Sequence, residues 1–351
     1  MKVEKIKESN GEVELRIEAT PVEIDKAFED GLDVFVTQFD LASLEGETAL
    51  EKIQKALSPE EARDAISSAV IGYLIPFALD DQNIIPMTSS EVNAESNPVK
   101  GESFTFSMTV LPKPEFELSD YSPVEVTVSA LTPVTEDDIE RQIAMLAHQF
   151  ALVKVNPETG EEEMEVPEVT EAWVQENLQG MGVGSLQELR DQFKATSERV
   201  KQEQFEQSKM AAVMEAYAAR FDGEVSDKMV DSMTNEMFEA FKAQLAEENM
   251  TLMDFMLQQK TDEKQIRASL ALQAKNQLIQ GFILDAVFRH EGLKLELSDI
   301  MATVRSMAPG NEEEAFDNLQ KMGRLFLLKE GASRMKAAEW VLDNATINTV
   351  D

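Results

Sequence analysis

Cysteine is absent from this chain of 351 residues. That single absence excludes disulfide frameworks, thiolate nucleophiles and zinc–cysteine sites together. Histidine is nearly absent too, with two copies. His148 lies off the apolar face of its predicted helix, and His290, within Arg289-His290-Glu291-Gly292, reads as a cationic last turn before a helix-stopping glycine. Positive charge is in short supply: 32 basic residues against 67 acidic ones leave a net charge of -35. Nucleic acid and anionic membranes need clustered Lys and Arg, so neither is expected as a partner. No run approaches the ~18 apolar residues of a membrane span. The opening Met1-Lys2-Val3-Glu4-Lys5-Ile6 lacks the apolar stretch of a secretory signal, which makes the cytoplasm the expected compartment. The glycine cluster Gly180-Met181-Gly182-Val183-Gly184 has neither a preceding strand nor the third glycine of a dinucleotide loop. It reads instead as a turn whose Ser185 and Glu188 cap the next helix. Carboxylates are too numerous for any pair to stand out, so no catalytic residue, cofactor or metal ligand is expected, and the chain does not read as an enzyme.

What is present is a globular composition, 43% hydrophobic and 28% charged. The length suits two or three domains or one elongated assembly. The acidity suits solubility, or the self-repulsion that a protein with exposed apolar surfaces needs.

Along the chain, Val3 and Ile6, then Val13, Leu15 and Ile17, alternate with charged residues around Asn10-Gly11, the pattern of a β-hairpin. Pro21 opens a helical pattern (Val22, Ile24, Phe28, Leu32, Phe35, Val36), and Ser58-Pro59-Glu60-Glu61 opens a second with a capping box, running to about Leu79 with Pro76 near its end. Strands are expected at 84–87, 104–110 and 124–128. The ββααββ order indicates a small α+β domain with helices on an antiparallel sheet, ending near Leu118. From Thr135, which with Asp138 forms another capping box, the pattern is helical to about Asn344, broken by a turn and acidic run between Lys154 and Val169. The fold class is therefore α+β: a small N-terminal antiparallel-sheet domain with helices, followed by an elongated, mostly helical region with arm-like hairpins.

Methionine and phenylalanine carry the functional signal. Met229, Met233 and Met237 recur every four residues and are joined by Phe238 and Phe241, while Met250, Met253, Phe255 and Met256 crowd the next segment. Such spacing fits the core of a helical hairpin. It fits equally a compliant apolar surface, because unbranched, polarizable Met side chains adapt to many partners.

The domain order resembles the trigger factor family of bacterial folding chaperones. So do Glu102-Ser103-Phe104-Thr105-Phe106, Leu111-Pro112-Lys113-Pro114-Glu115-Phe116-Glu117-Leu118, Ser185-Leu186-Gln187-Glu188-Leu189-Arg190 and Val287-Phe288-Arg289-His290-Glu291-Gly292-Leu293. The resemblance implies a family N-terminal domain at 1–118, a linker at 119–170 and a helical chaperone domain at 171–351. Its arms would come from about 191–275 and 311–344, forming a cradle. The implied activity is that of an ATP-independent holdase, which shields apolar segments of unfolded, partly folded or nascent polypeptides on the Met and Phe residues named above. Two departures stand out. The family's prolyl isomerase domain has no room here, since about twenty residues occupy its place. The family's ribosome-docking loop, Gly-Phe-Arg-x-Gly-Lys, corresponds to Gln38-Phe39-Asp40-Leu41-Ala42-Ser43, which keeps only the Phe. With Asp40 where the Arg would stand, and no Lys or Arg between Lys26 and Lys52, docking onto ribosomal RNA is not carried over. The alternative is a dedicated binding or assembly protein for one folded partner.

Overall fold

The computed structural model describes residues 1–9, 11–39, 41, 48–155 and 162–350. The chain divides into two compact units that interleave along the sequence: unit 1 comprises Met1–Ser122 with Ala218–Val341, and unit 2 comprises Pro123–Tyr217 with Leu342–Asp351.

Unit 1 begins with the expected hairpin, β1 (Lys2–Ser9) and β2 (Glu12–Ala19). Gly11 takes the left-handed conformation its turn requires, with φ of 79°, while Asn10 lies outside the described residues. On β2, Val13, Leu15, Ile17 and Ala19 are buried and their neighbours are not, which is the period-two pattern of a half-buried strand. Thr20 then caps α1 (Pro21–Lys26) in a capping box with Glu23. A π-helical turn at Ala27–Gly31 separates it from α2 (Leu32–Gln38). The helices α3 (Ala49–Ala56) and α4 (Pro59–Asp81) follow, each opened by a capping box, Thr48 with Glu51 and Ser58 with Glu61. Among the described residues α4 alone is long and apolar enough to cross a membrane, contrary to the sequence-based expectation. Its Val70, Leu74, Ala78 and Leu79 are instead buried against Leu15, Ile17, Ile24 and Phe106, which makes it a core helix.

The strand expected at 84–87 does not form. Pro86 makes a single bridge to Pro112, flanked by Met87 N–H to the Leu111 carbonyl and Lys113 N–H to the Ile85 carbonyl. A proline has no N–H for a continuous ladder. The short β3 (Glu91–Asn93) lies at the sheet edge, and β4 (Phe104–Val110) sits inside. The sheet has the order β1-β2-β4-β3 and is antiparallel throughout.

Unit 2 contains β5 (Glu125–Ser129), α5 (Glu136–Gln149) with the predicted Thr135–Asp138 capping box, and a hairpin of β6 (Leu152–Val155) and β7 (Glu162–Glu165). That hairpin interrupts a stretch expected to hold only a turn and an acidic run; residues 156–161, where the turn is expected, lie outside the described residues. Next come α6 (Glu171–Asn177) and the long α7 (Leu186–Ala218). As predicted, the glycine cluster is a turn: Glu188 N–H donates to Ser185 Oγ at 3.2 Å, and Gly184 N–H to the Glu188 carboxylate at 2.8 Å. Ile139, Ile143, Val174, Leu178 and Leu189 form this unit's core. The strand β5 pairs in parallel with β8 (Thr346–Val350), a partner that no local pattern announces.

Six further helices of unit 1 complete the chain: α8 (Asp227–Glu247), α9 (Leu252–Gln259), α10 (Glu263–His290), α11 (Leu297–Met307), α12 (Glu312–Lys321) and α13 (Leu325–Asn344), the last running three residues past the unit boundary. The protein is thus α+β, with a helix-bearing antiparallel sheet at the N-terminus and a long helical region after it.

Candidate functional site: a helical arm with an apolar tip

Helices α8 and α10 pack side by side as an antiparallel hairpin, with α9 between them in sequence. Pairings along the hairpin fix its direction. Met229, near the start of α8, is buried with Leu278 and Phe282 of α10, whereas the Arg267 guanidinium, near the start of α10, lies 3.8 Å from the Phe238 ring centroid and donates to Asn235 Oδ1 at 3.1 Å.

The root of this arm is fixed in two ways. Leu111, Val225, Met229, Leu278 and Phe282 form one buried cluster, with Met87, Phe116, Phe221 and Met233 packed on it. Beside the cluster Asp285 is buried and accepts from three cationic nitrogens: Lys113 Nζ at 3.0 Å, Arg334 Nη2 at 2.8 Å and Arg334 Nε at 3.1 Å. Glu330 accepts from Lys113 at 3.0 Å and Arg334 at 2.8 Å, so the two cations and two anions close a neutral network. Burial works against the Arg334 charge, but its hydrogen bonds to Asp285 and the fields of Asp285 and Glu330 outweigh it and raise its pKa above the usual guanidinium value. Gly281 makes the geometry possible, since a Cβ there would meet the Arg334 Cζ at 2.8 Å.

Toward the other end the packing thins. Phe238 and Leu245 are buried, Phe241 is half-buried, and its ring meets Phe255 of α9 edge-on at 5.0 Å. Thr251 caps α9 in a capping box with Asp254. Hydrogen bonds from the Thr251 hydroxyl and then its backbone N–H hold the Asp254 carboxyl below the ordinary aspartate range. This helix reads Leu-Met-Asp-Phe-Met-Leu-Gln-Gln, yet none of its residues is buried. Met253 is 64% exposed and Leu257 68%. Four residues apart, they share one face of the helix.

The candidate residues therefore divide by depth. Met229 and Phe238 are buried, Met233, Met237, Phe241, Met250, Phe255 and Met256 are half-buried, and Met253 is open to solvent. Two exposed apolar positions were not among the sequence candidates. Leu257 lay inside the apolar run and was identifiable by its spacing from Met253; Leu272, 64% exposed on α10, stands outside any Met or Phe pattern. In the degenerate docking loop, Gln38 and Phe39 end α2, the Leu41 N–H donates to the Val36 carbonyl, and Asp40, Ala42 and Ser43 lie outside the described residues. Of the two histidines, His290 stacks flat on Tyr121 with 3.7 Å between ring centroids. No cluster of metal-ligating side chains occurs among the described residues.

Two sequence models, described as the bacterial trigger factor protein and the bacterial trigger factor protein C-terminus, match residues 1–146 and 185–343. The chain belongs to the trigger factor family. Among similar proteins is the trigger factor of Pelotomaculum thermopropionicum, 21% identical, with 81% of this chain and 84% of that protein covered. The trigger factor of Bacillus mycoides is 24% identical over 46% of this chain, and that of Bacillus anthracis 23% over 52%; the match spans only 38% and 42% of those two proteins. A solved trigger factor chaperone chain, described by its promiscuous substrate recognition in folding and assembly activities, is covered over 99% of its length and covers 98% of this one, at 15% identity and a TM-score of 0.39. Between the two matched stretches, residues 147–184 hold the β6–β7 hairpin and α6, far short of the ~50 residues of a small domain, so the trigger factor isomerase domain is absent.

Proposed function

We propose that this trigger factor relative is an ATP-independent holdase that shields apolar segments of unfolded, partly folded or nascent polypeptides, without prolyl isomerase activity. The observation that carries the reading is α9: an apolar helix at the far end of a well-anchored arm, with no residue buried in its own fold. Exposed apolar surface of this kind marks an interaction site. A Met- and Leu-rich helix can repack against many side-chain shapes, which suits clients chosen by apolarity. Met253, Phe255, Met256 and Leu257 are the contact residues at the tip, and Met233, Met237, Phe241 and Met250 continue them along the arm. Met229 and Phe238 support that surface from beneath. Reversible capture lowers the free concentration of aggregation-prone chains by mass action.

The acidic surface keeps the holder from associating with itself and suits a cytoplasmic protein. The docking loop, with no Lys or Arg between Lys26 and Lys52, gives ribosomal RNA no cation to pair with, so the holder works off the ribosome.

The test is light scattering from several unrelated denatured proteins diluted into buffer with and without the chain. Suppression across most of them supports a general holdase. Protection of none would sink it and favour a holder of one folded partner. A proline-limited refolding assay should show no acceleration at catalytic amounts of protein.

A further inference from the structure

The described residues of unit 1 also contain an apolar recess, apart from the arm. It is a cavity of about 290 Å³ between the π-turn and α2 on one side and α4 on the other. The volume is near the lower end of the ~300–1,000 Å³ of ligand pockets. Its walls are the tilted ring pair Phe35–Phe39, 4.4 Å between centroids, with Tyr73 and Pro76 facing across. Phe39 is 57% exposed at the mouth.

Local backbone chemistry explains why the recess stays open. The π-helical turn Ala27–Gly31 inserts extra backbone just before the wall residues, and π-turns inside α-helices concentrate at functional sites. Gly31 closes that turn where the helices touch; a Cβ there would be 3.0 Å from both the Ala69 carbonyl oxygen and Tyr73 Cβ. On the same stretch of α4, a Cβ on Gly72, which lines the cavity, would meet nothing within 4 Å. Pro76 has no N–H to give the Gly72 carbonyl, which leaves that acceptor without its usual helical donor.

Among the described residues that line it, Arg324 is the charged one; the nearby Asp30 carboxylate is engaged by the Tyr73 hydroxyl at 2.7 Å. Gly323, with φ of 68° and its Cα packed on the Phe77 ring, brings Met322 and Arg324 to the cavity wall. Arg324 is exposed, and its guanidinium has no ion-pair or hydrogen-bond partner among the described residues, in a chain with 67 acids to choose from. A planar guanidinium beside aromatic rings recognises a carboxylate bidentately.

We infer that this recess is a peptide-docking site for a segment in which a bulky apolar side chain is followed by an acidic residue. The apolar side chain fills the space over Gly72, and the carboxylate pairs with Arg324. The site is separate from the arm tip and stands whether or not the holdase reading does.

The experiment uses fluorescence anisotropy with two short labelled peptides, alike except that a Leu-Trp pair is followed by Glu-Glu or by Lys-Lys. A net charge of -35 repels the first and attracts the second at long range, so only a local cation can favour the acidic peptide. At physiological salt the full chain should bind the Glu peptide about tenfold more tightly, the worth of one charge-assisted hydrogen bond. Gly72→Leu fills the recess and should abolish that binding without unfolding the chain, as Leu is a better helix former than Gly. Arg324→Glu, a surface change, should reverse the preference. Met253→Asp with Leu257→Asp should leave peptide binding intact. Equal binding of the two peptides, no binding of the Glu peptide, or unaltered binding by both the Gly72 and Arg324 variants would overturn the inference.

Discussion

At the root of the arm, Phe282, Ile283, Ala286 and Val287 of α10 are all buried; at its tip, α9 carries Leu252, Met253, Phe255, Met256 and Leu257 without burying any of them. Both segments are strongly apolar. The difference is what surrounds them. The root has α8, the segment around Leu111 and the Lys113–Asp285–Glu330–Arg334 network, whereas the tip half-buries Leu252, Phe255 and Met256, with Phe241 against Phe255. Packing is concentrated at one end of the hairpin, and the apolar surface at the other stays exposed, as the proposed client contact requires.

Changes at the root should cost stability and leave client holding per folded molecule unchanged. Asp285→Ala leaves Lys113 and Arg334 to share Glu330 alone, one uncompensated half-buried positive charge, and breaking such a network costs about 3 kcal/mol, read as a lower denaturant midpoint. A cost under about 1 kcal/mol would show that the apolar cluster alone fixes the root. Gly281→Ala pushes Arg334 off Asp285 and should cost about 1–3 kcal/mol by the same measurement.

At the tip the costs shrink and the functional effects grow. Thr251→Ala removes the α9 cap and should destabilise that helix by about 1 kcal/mol, seen as faster amide exchange within α9 only. Acid should act in the same way. The Asp254 pKa is lower folded than unfolded, so its contribution is complete above the ordinary aspartate range of about 4 and is lost as pH falls toward the depressed value. Asp254→Asn should abolish that acid-dependent fraying, with the Asp254 titration followed by NMR. Least in stability, within about 0.5 kcal/mol, should be Met253→Asp with Leu257→Asp, because neither side chain is buried. The same double change should remove most suppression of client aggregation. If suppression survives it, the tip is not the contact surface and the half-buried residues along the arm become the next to test.

Much of the local structure was legible because it is encoded locally. The hairpin at Gly11, the capping boxes opened by Thr20, Thr48, Ser58 and Thr135, and the Ser185 cap depend on residues no more than a few positions apart, and the sequence patterns at Gly11, Ser58, Thr135 and Ser185 marked them in advance. What was missed depends on distance or on a missing donor. Pro86 reduces an expected strand to one bridge. The alternating residues of β5 reveal a strand but not that its partner is β8, and the π-turn at Ala27–Gly31 leaves no mark in a helical period. At the candidate site, spacing identified which side chains belong to the arm. It could not separate Met229 from Met253, since burial depends on where α10 and the Leu111 segment come to lie.

The β5–β8 pair also puts the protein on a timetable. Val128 emerges early in synthesis, and the residue it pairs with, Thr349, exists only when translation has nearly reached the last residue of this sequence. At roughly 5–20 residues per second, β5 waits on the order of ten to forty seconds for its partner strand, while the β1–β4 sheet has every strand it needs by residue 110. On the proposed reading, a holder of unfinished chains is thus, for much of its own synthesis, an unfinished chain of the same kind.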